Sequence, residues 1–205
     1  MRCIIFTGGE PEPYIPQGVD TDGALIIAAD SGHRNCTQLG LVPDLVLGDF
    51  DSLGSIPEDI EHAVFPKEKD DTDLMLAVRE ALSRGCRDIT ILGALGGRFD
   101  HTFANVQTLA FIAEHGAAGR IVSVTDEIRL LTAGSYRFPR REGRSLSLFA
   151  YSREVAGLTL RGVKYGLENG IVTNAFPIGI SNEIEADFAE VSFTEGLLLA
   201  VMSTL

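Results

Sequence analysis

Residues 45 to 53, LVLGDFDSL, place two aspartates, Asp49 and Asp51, one residue apart behind an apolar run. In an extended segment side chains two apart share a face, so both carboxylates point the same way. Two such charges repel unless both stand in water or a cation lies between them. Asp73 adds a third carboxylate in Lys69-Asp70-Asp71-Thr72-Asp73, where an apolar-periodic stretch begins. An oxygen-only set such as Asp49, Asp51 and Asp73 suits Mg²⁺, which prefers octahedral geometry and commonly bridges one or two carboxylates to substrate phosphates. The competing structural reading makes Asp51 a turn residue and Asp70 or Thr72 a helix cap.

A second group of residues suits phosphate. In Gly93-Ala94-Leu95-Gly96-Gly97-Arg98-Phe99-Asp100-His101, the glycine pair lets backbone approach a ligand, and the helix start beyond it offers free N–H groups to an anion. Arg98 contributes a planar fork of donors. The loop is neither GxGxxG nor a P-loop, and by itself Gly-Gly is usually only a tight turn. Asp100 brings an acid into this loop, which makes sense against a hydroxyl, an amine or a cation. His101 and Asn105, four apart, share a helix face and suit tying the loop down. A further stretch, Asp30-Ser31-Gly32-His33, offers Asp30 as a ligand contact or, with Ser31, as a helix cap.

These loops need a scaffold. Strand candidates are Cys3 to Phe6, Ala24 to Ala29, Leu45 to Leu47, Ile89 to Leu92 and Ile121 to Val124. Helical spacing marks Gly32 to Leu39, Thr72 to Ser83 (stripe Leu74, Val78, Ala81, Leu82) and His101 to Glu114 (stripe Phe103, Val106, Leu109, Ala110, Ala113). This alternation predicts an α/β, mostly parallel-sheet domain, and the loops with chemistry fall beyond the carboxyl ends of its strands, where such sheets bind ligands. After about Glu127 only short segments remain: Tyr136 to Phe138, Ser145 to Tyr151, Leu158 to Val163, Gly170 to Thr173, Glu183 to Phe193 and Leu197 to Met202. Some alternate with period two, predicting an all-β sandwich domain. The expected division is 1–130 and 131–205.

The 205 residues are 45% hydrophobic, enough for a sizeable core. Net charge is −12, so the overall field repels nucleic acid and anionic membrane. No apolar run approaches the roughly 20 residues of a membrane span, and the first residues lack a signal-peptide pattern; a cytoplasmic location is expected. The three cysteines show no CxxC spacing, which argues for packing over disulfides or zinc.

Taken in order, Asp30-Ser31-Gly32, Pro43-Asp44 with Gly48-Asp49-Phe50-Asp51-Ser52, Lys69-Asp70 with Thr72-Asp73, and Gly96-Gly97-Arg98-Phe99-Asp100-His101 with Asn105 resemble the thiamine pyrophosphokinase family. The resemblance, which includes the two-domain plan, covers nearly the whole chain. It implies transfer of the pyrophosphoryl group of ATP to the hydroxyethyl oxygen of thiamine, with Mg²⁺, leaving AMP. Carried over motif by motif, Asp49, Asp51 and Asp73 hold metal and phosphates; Asp30, Lys69, Asp70, Thr72 and Arg98 line the ATP site; Asp100 faces thiamine. The resemblance also implies a homodimer in which Tyr165, Ser181 and Asn182 of the β-domain reach thiamine across the interface. Two departures stand out: Asp30-Ser31-Gly32-His33-Arg34 replaces the family's Asp-Gly-Gly-Ala-Asn, and no tryptophan is present to stack on thiamine, leaving Tyr165 or a phenylalanine for that role.

Three other readings compete. DFDSL also resembles the nucleophile motif of haloacid-dehalogenase-type phosphatases, but the later lysine and acidic pair that those enzymes need are not found in convincing form. Pyrophosphoryl transfer to another hydroxymethyl heterocycle, such as a pterin, fits the same α/β plan. Outside catalysis, a metal- or nucleotide-binding sensor would use the same acids without turnover.

Overall fold

The computed structural model describes residues 1–48, 60–64 and 70–205. They form a mixed α/β protein with few helices, divided into two compact units, Met1–Val124 and Thr125–Leu205.

In the first unit, strands β1 (Arg2–Phe6), β2 (Leu25–Ala29), β3 (Leu45–Gly48), β4 (Glu61–Val64), β5 (Asp88–Leu92) and β6 (Ala118–Val122) alternate with helices α1 (Gly32–Gln38), α2 (Asp73–Ser83) and α3 (Phe99–Glu114). All strand pairings in this unit are parallel, in the order β6-β5-β1-β2-β3-β4. β1, β2 and β5 are near-continuous apolar runs, buried along almost their whole length, as expected of strands covered on both faces. β4, Glu-His-Ala-Val, is the strand not anticipated: it has no apolar run, and it pairs only with β3 at one end of the order.

The helices are legible in their local chemistry. Thr72 caps α2, its Oγ1 accepting the N–H of Met75 at 3.2 Å, and Asp73 in the first turn complements the helix dipole. The buried stripe of α2 is Leu74, Ala77, Val78 and Ala81, with Leu82 half-buried. In α3 the buried face differs from the expected one. It runs through Thr108, Leu109 and Ile112, whereas Phe103 is 52% exposed and Val106, Ala110 and Ala113 are half-buried. The turns of α3 are set by Leu109 and Ile112 facing the sheet, and extending that stripe by one turn leads to Asn105 rather than Phe103.

In the second unit, β7 (Asp126–Pro139), β8 (Arg144–Ala150), β9 (Glu154–Arg161), β10 (Leu167–Thr173) and β11 (Phe188–Thr204) pair antiparallel. β7 begins just after the junction between the units and runs through residue 130. Of the two expected segments Glu183 to Phe193 and Leu197 to Met202, the part from Phe188 onward and the whole of the second belong to a single 17-residue strand, β11, while residues 183–187 precede it. Its first half pairs with β9 and the end of β7, its second half with β8 and the start of β7, across an irregularity between Phe193 and Leu197. The irregularity has a purpose visible in the burial. Ala189, Val191 and Phe193 point inward at odd positions, but Leu198, Ala200 and Met202 do so at even ones. Across it β11 advances four residues while β7 advances two, and the inward positions of β7 change parity as well, from Phe138 to Leu131, so both halves supply one core with Leu146, Leu148, Val155 and Leu158.

Candidate functional site

The strand order of the first unit reverses at β1. The chain steps outward from β1 to β4, then returns to the other side of β1 as β5. Loops leaving the carboxyl ends of β1 and β5 therefore diverge, and the crevice between them is where such sheets bind ligands. A cleft of about 930 Å³ occupies this place, lined by the loops after β1, β2 and β5 and by the first turns of α2 and α3.

Each lining group is held there by its element. Asp73 is half-buried at the start of α2 and lines the cleft with Asp71 and Thr72. Asp71 is already engaged, accepting from Arg79 Nε at 3.0 Å. The Thr72 hydroxyl serves as the cap of α2. Asp70 is exposed just before this turn and is not among the lining residues. Asp30 follows β2 with φ +50°, a left-handed conformation that Asp tolerates better than most residues. Ser31 does not cap α1 through its side chain: it is already helical at φ −62° and ψ −8°, and it makes no side-chain cap bond. Its hydroxyl instead donates to Asp30 Oδ2 at 3.4 Å. Asp30 is left facing the cleft beside Gly48, the last described residue before Asp49; a Cβ on Gly48 would stand 3.1 Å from the Asp30 Cα.

The loop after β5 turns at Gly96 and Gly97, both in the left-handed region at φ +82° and +65°, where glycine carries no steric cost. Thr102 Oγ1 donates to Gly96 O at 3.1 Å and Asn105 Nδ2 to Ala94 O at 2.8 Å, so α3 fastens the loop that precedes it. Asn105 thus does the tying-down expected of the His101–Asn105 pair, and both residues line the cleft. Arg98 and Asp100 are exposed and bound to one another, with Nη2 to Oδ2 at 2.6 Å and Nε to Oδ1 at 3.1 Å. That pairing, helped by the His101 N–H, holds the Asp100 carboxyl below the ordinary carboxylate range and raises the Arg98 guanidinium further.

Asp49, Asp51 and Lys69 lie outside the described residues. Among the described residues no three His, Cys, Asp or Glu side chains cluster closely enough to hold a metal ion. The acidic donors offered to the cleft are carboxylate oxygens, the chemistry that suits Mg²⁺.

One lining segment was missed by sequence reasoning. Thr7-Gly8-Gly9-Glu10-Pro11, directly after β1, forms one wall of the cleft. The signal was a Gly-Gly pair immediately behind the first apolar strand, the same pattern that singled out Gly96-Gly97.

In the second unit, Tyr165, Ser181 and Asn182 are brought together. Asn182 is 7% exposed and both ends of its carboxamide are engaged: Nδ2 donates to Tyr165 O at 2.9 Å, while Oδ1 accepts the N–H groups of Tyr165 and Glu183, each at 3.0 Å. Its backbone pairs with Leu146 as well. Tyr165, by contrast, is 65% exposed, and Ser181, at φ +54°, is exposed with its N–H given to Ser147 Oγ. Lys164 stands 5.8 Å from the Tyr165 ring centre and pairs with Glu183 at 2.7 Å.

Comparison with known proteins finds matches in both units. The family described as "Thiamin pyrophosphokinase, catalytic domain" matches residues 20–118, and "Thiamin pyrophosphokinase, vitamin B1 binding domain" matches residues 135–198. The chain is 33% identical over 213 residues to a thiamine pyrophosphokinase of Bacillus subtilis, covering 100% of both. Among solved structures it resembles the thiamine pyrophosphokinase of Bacillus subtilis (TM-score 0.89, 30% identity, 100% of each chain). It also resembles a thiamin pyrophosphokinase family protein of Enterococcus faecalis (TM-score 0.85, 32% identity, 100% of each chain). With a full-length relative at this identity and both family domains in order, the chain belongs to the thiamine pyrophosphokinase family.

Proposed function

We propose that this protein is a thiamine diphosphokinase, transferring the pyrophosphoryl group of ATP to the hydroxyl of thiamine to give thiamine diphosphate and AMP. The observation that carries the reading is the cleft at the β1/β5 reversal, where a glycine turn, an arginine fork and helix-start carboxylates meet in a chain related to thiamine pyrophosphokinases along its whole length. In this reading residues 1–130 form a Rossmann-like ATP- and Mg²⁺-binding domain and residues 131–205 a β-sandwich that binds thiamine. The all-parallel pairings of the first unit and the two inward-facing halves of β11 support that plan.

Attack by a hydroxyl at a β-phosphate meets a strongly negative centre, so the protein's task is to place the reactants in line and meet the growing charge. Gly96, Gly97 and the start of α3 receive phosphate oxygens through backbone N–H groups, and Arg98 turns its fork onto them. Asp30 and Thr72 line the nucleotide from the cleft wall, and Lys69 and Asp70 are assigned to it by their motif alone. Asp73, with Asp49 and Asp51, would hold Mg²⁺, which when bound screens the phosphate charge. Asp100 is exposed and, like any aspartate in water, ionised near neutral pH whether or not Arg98 stays on it, so it is a weak base; it fits the role of acceptor that orients the thiamine hydroxyl.

Thiamine is received by Tyr165 and Ser181, presented by the Asn182 clasp, from the second subunit of a homodimer. A cytoplasmic location completes the proposal. Mixing the protein with ATP, Mg²⁺ and thiamine tests it: AMP and thiamine diphosphate are expected in equal amounts. ATP binding without product would favour a sensor, and turnover of a hydroxymethyl pterin in place of thiamine would reassign the acceptor.

A further inference from the structure

The ladder between β1 and β5 ends at the pair Phe6 and Leu92, and the last backbone bond between them is Thr7 N–H to Leu92 O at 2.9 Å. Beyond it the two loops that wall the cleft have no further sheet bonds to each other. Side chains take over the fastening. Thr7 Oγ1, in a residue only 8% exposed, donates to Gly93 O at 2.5 Å. From the first turn of α1, Asn35 Nδ2 donates to Thr7 O at 2.8 Å and to Gly9 O at 3.2 Å. The backbones they draw together leave no room between them: a Cβ on Gly9 would stand 2.1 Å from Gly93 O, and one on Gly93 would stand 2.8 Å from Thr7 O and 3.1 Å from Asn35 Nδ2.

We infer that Thr7 and Asn35 are positioning residues for the nucleotide: they fix the gap between the β1 loop and the glycine-rich β5 loop, and so set the phosphate seat. Asn35 is not itself a lining residue and acts through the carbonyls it holds. The two residues form a continuous clasp, α1 to β1 loop to β5 loop. Losing either donor leaves a carbonyl without its partner and lets the loops part by a fraction of an ångström. At a phosphoryl-transfer site that displacement is costly, because misplacement by about 1 Å can cost about 10²-fold in rate. The inference rests on the nucleotide reading of the cleft given above.

The test uses Thr7→Val, which keeps the shape and removes the hydroxyl, Thr7→Ser, which restores it, and Asn35→Ala. Affinity for Mg²⁺-ATP is measured by calorimetry, independently of turnover, alongside steady-state kinetics and melting temperature. Expected are a rise of about tenfold in the Kd and KM for ATP in Thr7→Val and Asn35→Ala, with kcat reduced, the KM for thiamine unchanged within about twofold, and recovery in Thr7→Ser. A lowered melting temperature with unchanged ATP affinity and KM would overturn the inference and leave a structural bond only. So would failure of both Thr7→Val and Asn35→Ala to fold, since the clasp would then be needed by the domain itself. Wild-type ATP binding without product would sink the proposed reaction alone, and absence of ATP binding in the wild type would sink both.

Discussion

The polar groups singled out for function in the two units are held in opposite ways. In the first unit Arg98 and Asp100 stand exposed on a glycine turn and are bound chiefly to each other, a pairing in water worth little and readily exchanged for a ligand. In the second, Asn182 is buried with its amide and carbonyl both committed, and what it offers outward is Tyr165 and Ser181. The difference separates two jobs. On the proposed reading, the group that meets phosphate charge is kept free to change partner, whereas those that shape a receptor surface are locked from behind.

That contrast can be broken most sharply at Asp73. On the proposed reading Asp73→Asn lowers turnover about 10²- to 10³-fold, the scale of a lost electrostatic contact, with the melting temperature almost unchanged; near-normal activity would return Asp73 to a simple helix-start residue. Arg98→Ala should lower kcat/KM about 10²-fold, and Arg98→Lys should restore only part of it because a point charge lacks the fork. Asn182→Ala should behave oppositely. It leaves buried N–H and C=O groups without partners, costs about 2 kcal/mol of stability in a denaturant titration, and weakens thiamine binding while ATP affinity stays the same. Equal loss of ATP affinity would dissolve the distinction between the units.

Smaller effects sharpen it. The Asp100 carboxyl is depressed by Arg98, so the acid limb that it sets in the pH profile lies below the ordinary Asp range and should move up in Arg98→Ala. The linked stability is present above the unfolded pKa and is lost as pH falls through the folded one; because the pair is exposed, melting temperature should follow this only weakly. Smallest of all, burial pushes the Cys36 thiol up to about 12 and raises the Cys3 and Cys86 thiols as well. Iodoacetamide at pH 8 should leave all three unmodified in the native protein, as expected of packing cysteines.

Strands such as Cys3–Phe6 and Ile89–Leu92 were legible because parallel strands buried on both faces must be apolar throughout, and the loops with chemistry sit where those runs stop. The short β4 was not, since Glu-His-Ala-Val at the edge of the order carries neither a run nor an alternation. Nor was the unity of β11: its inward positions change from odd to even across the irregularity between Phe193 and Leu197, and a period-two pattern broken in this way reads as two separate strands. At the site, Asp73, Arg98, Asp100 and Asn105 were recognisable by type and spacing. Thr7 and Asn35 were not, because their role depends on which carbonyls tertiary folding brings within reach, and neither spacing nor composition encodes that.

Asn105 continues, one turn further towards the cleft, the same stripe of α3 that buries Leu109 and Ile112. Seven residues separate Asn105 from Ile112, about 10 Å of helix at 1.5 Å per residue. Helix α3 is thus a rigid lever with its fulcrum in the apolar interior and its tip on the glycine loop. Trimming Ile112, two turns from that tip, would tilt the lever, and on the proposed reading the accuracy of the chemistry would depend on how tightly greasy side chains are packed at the other end.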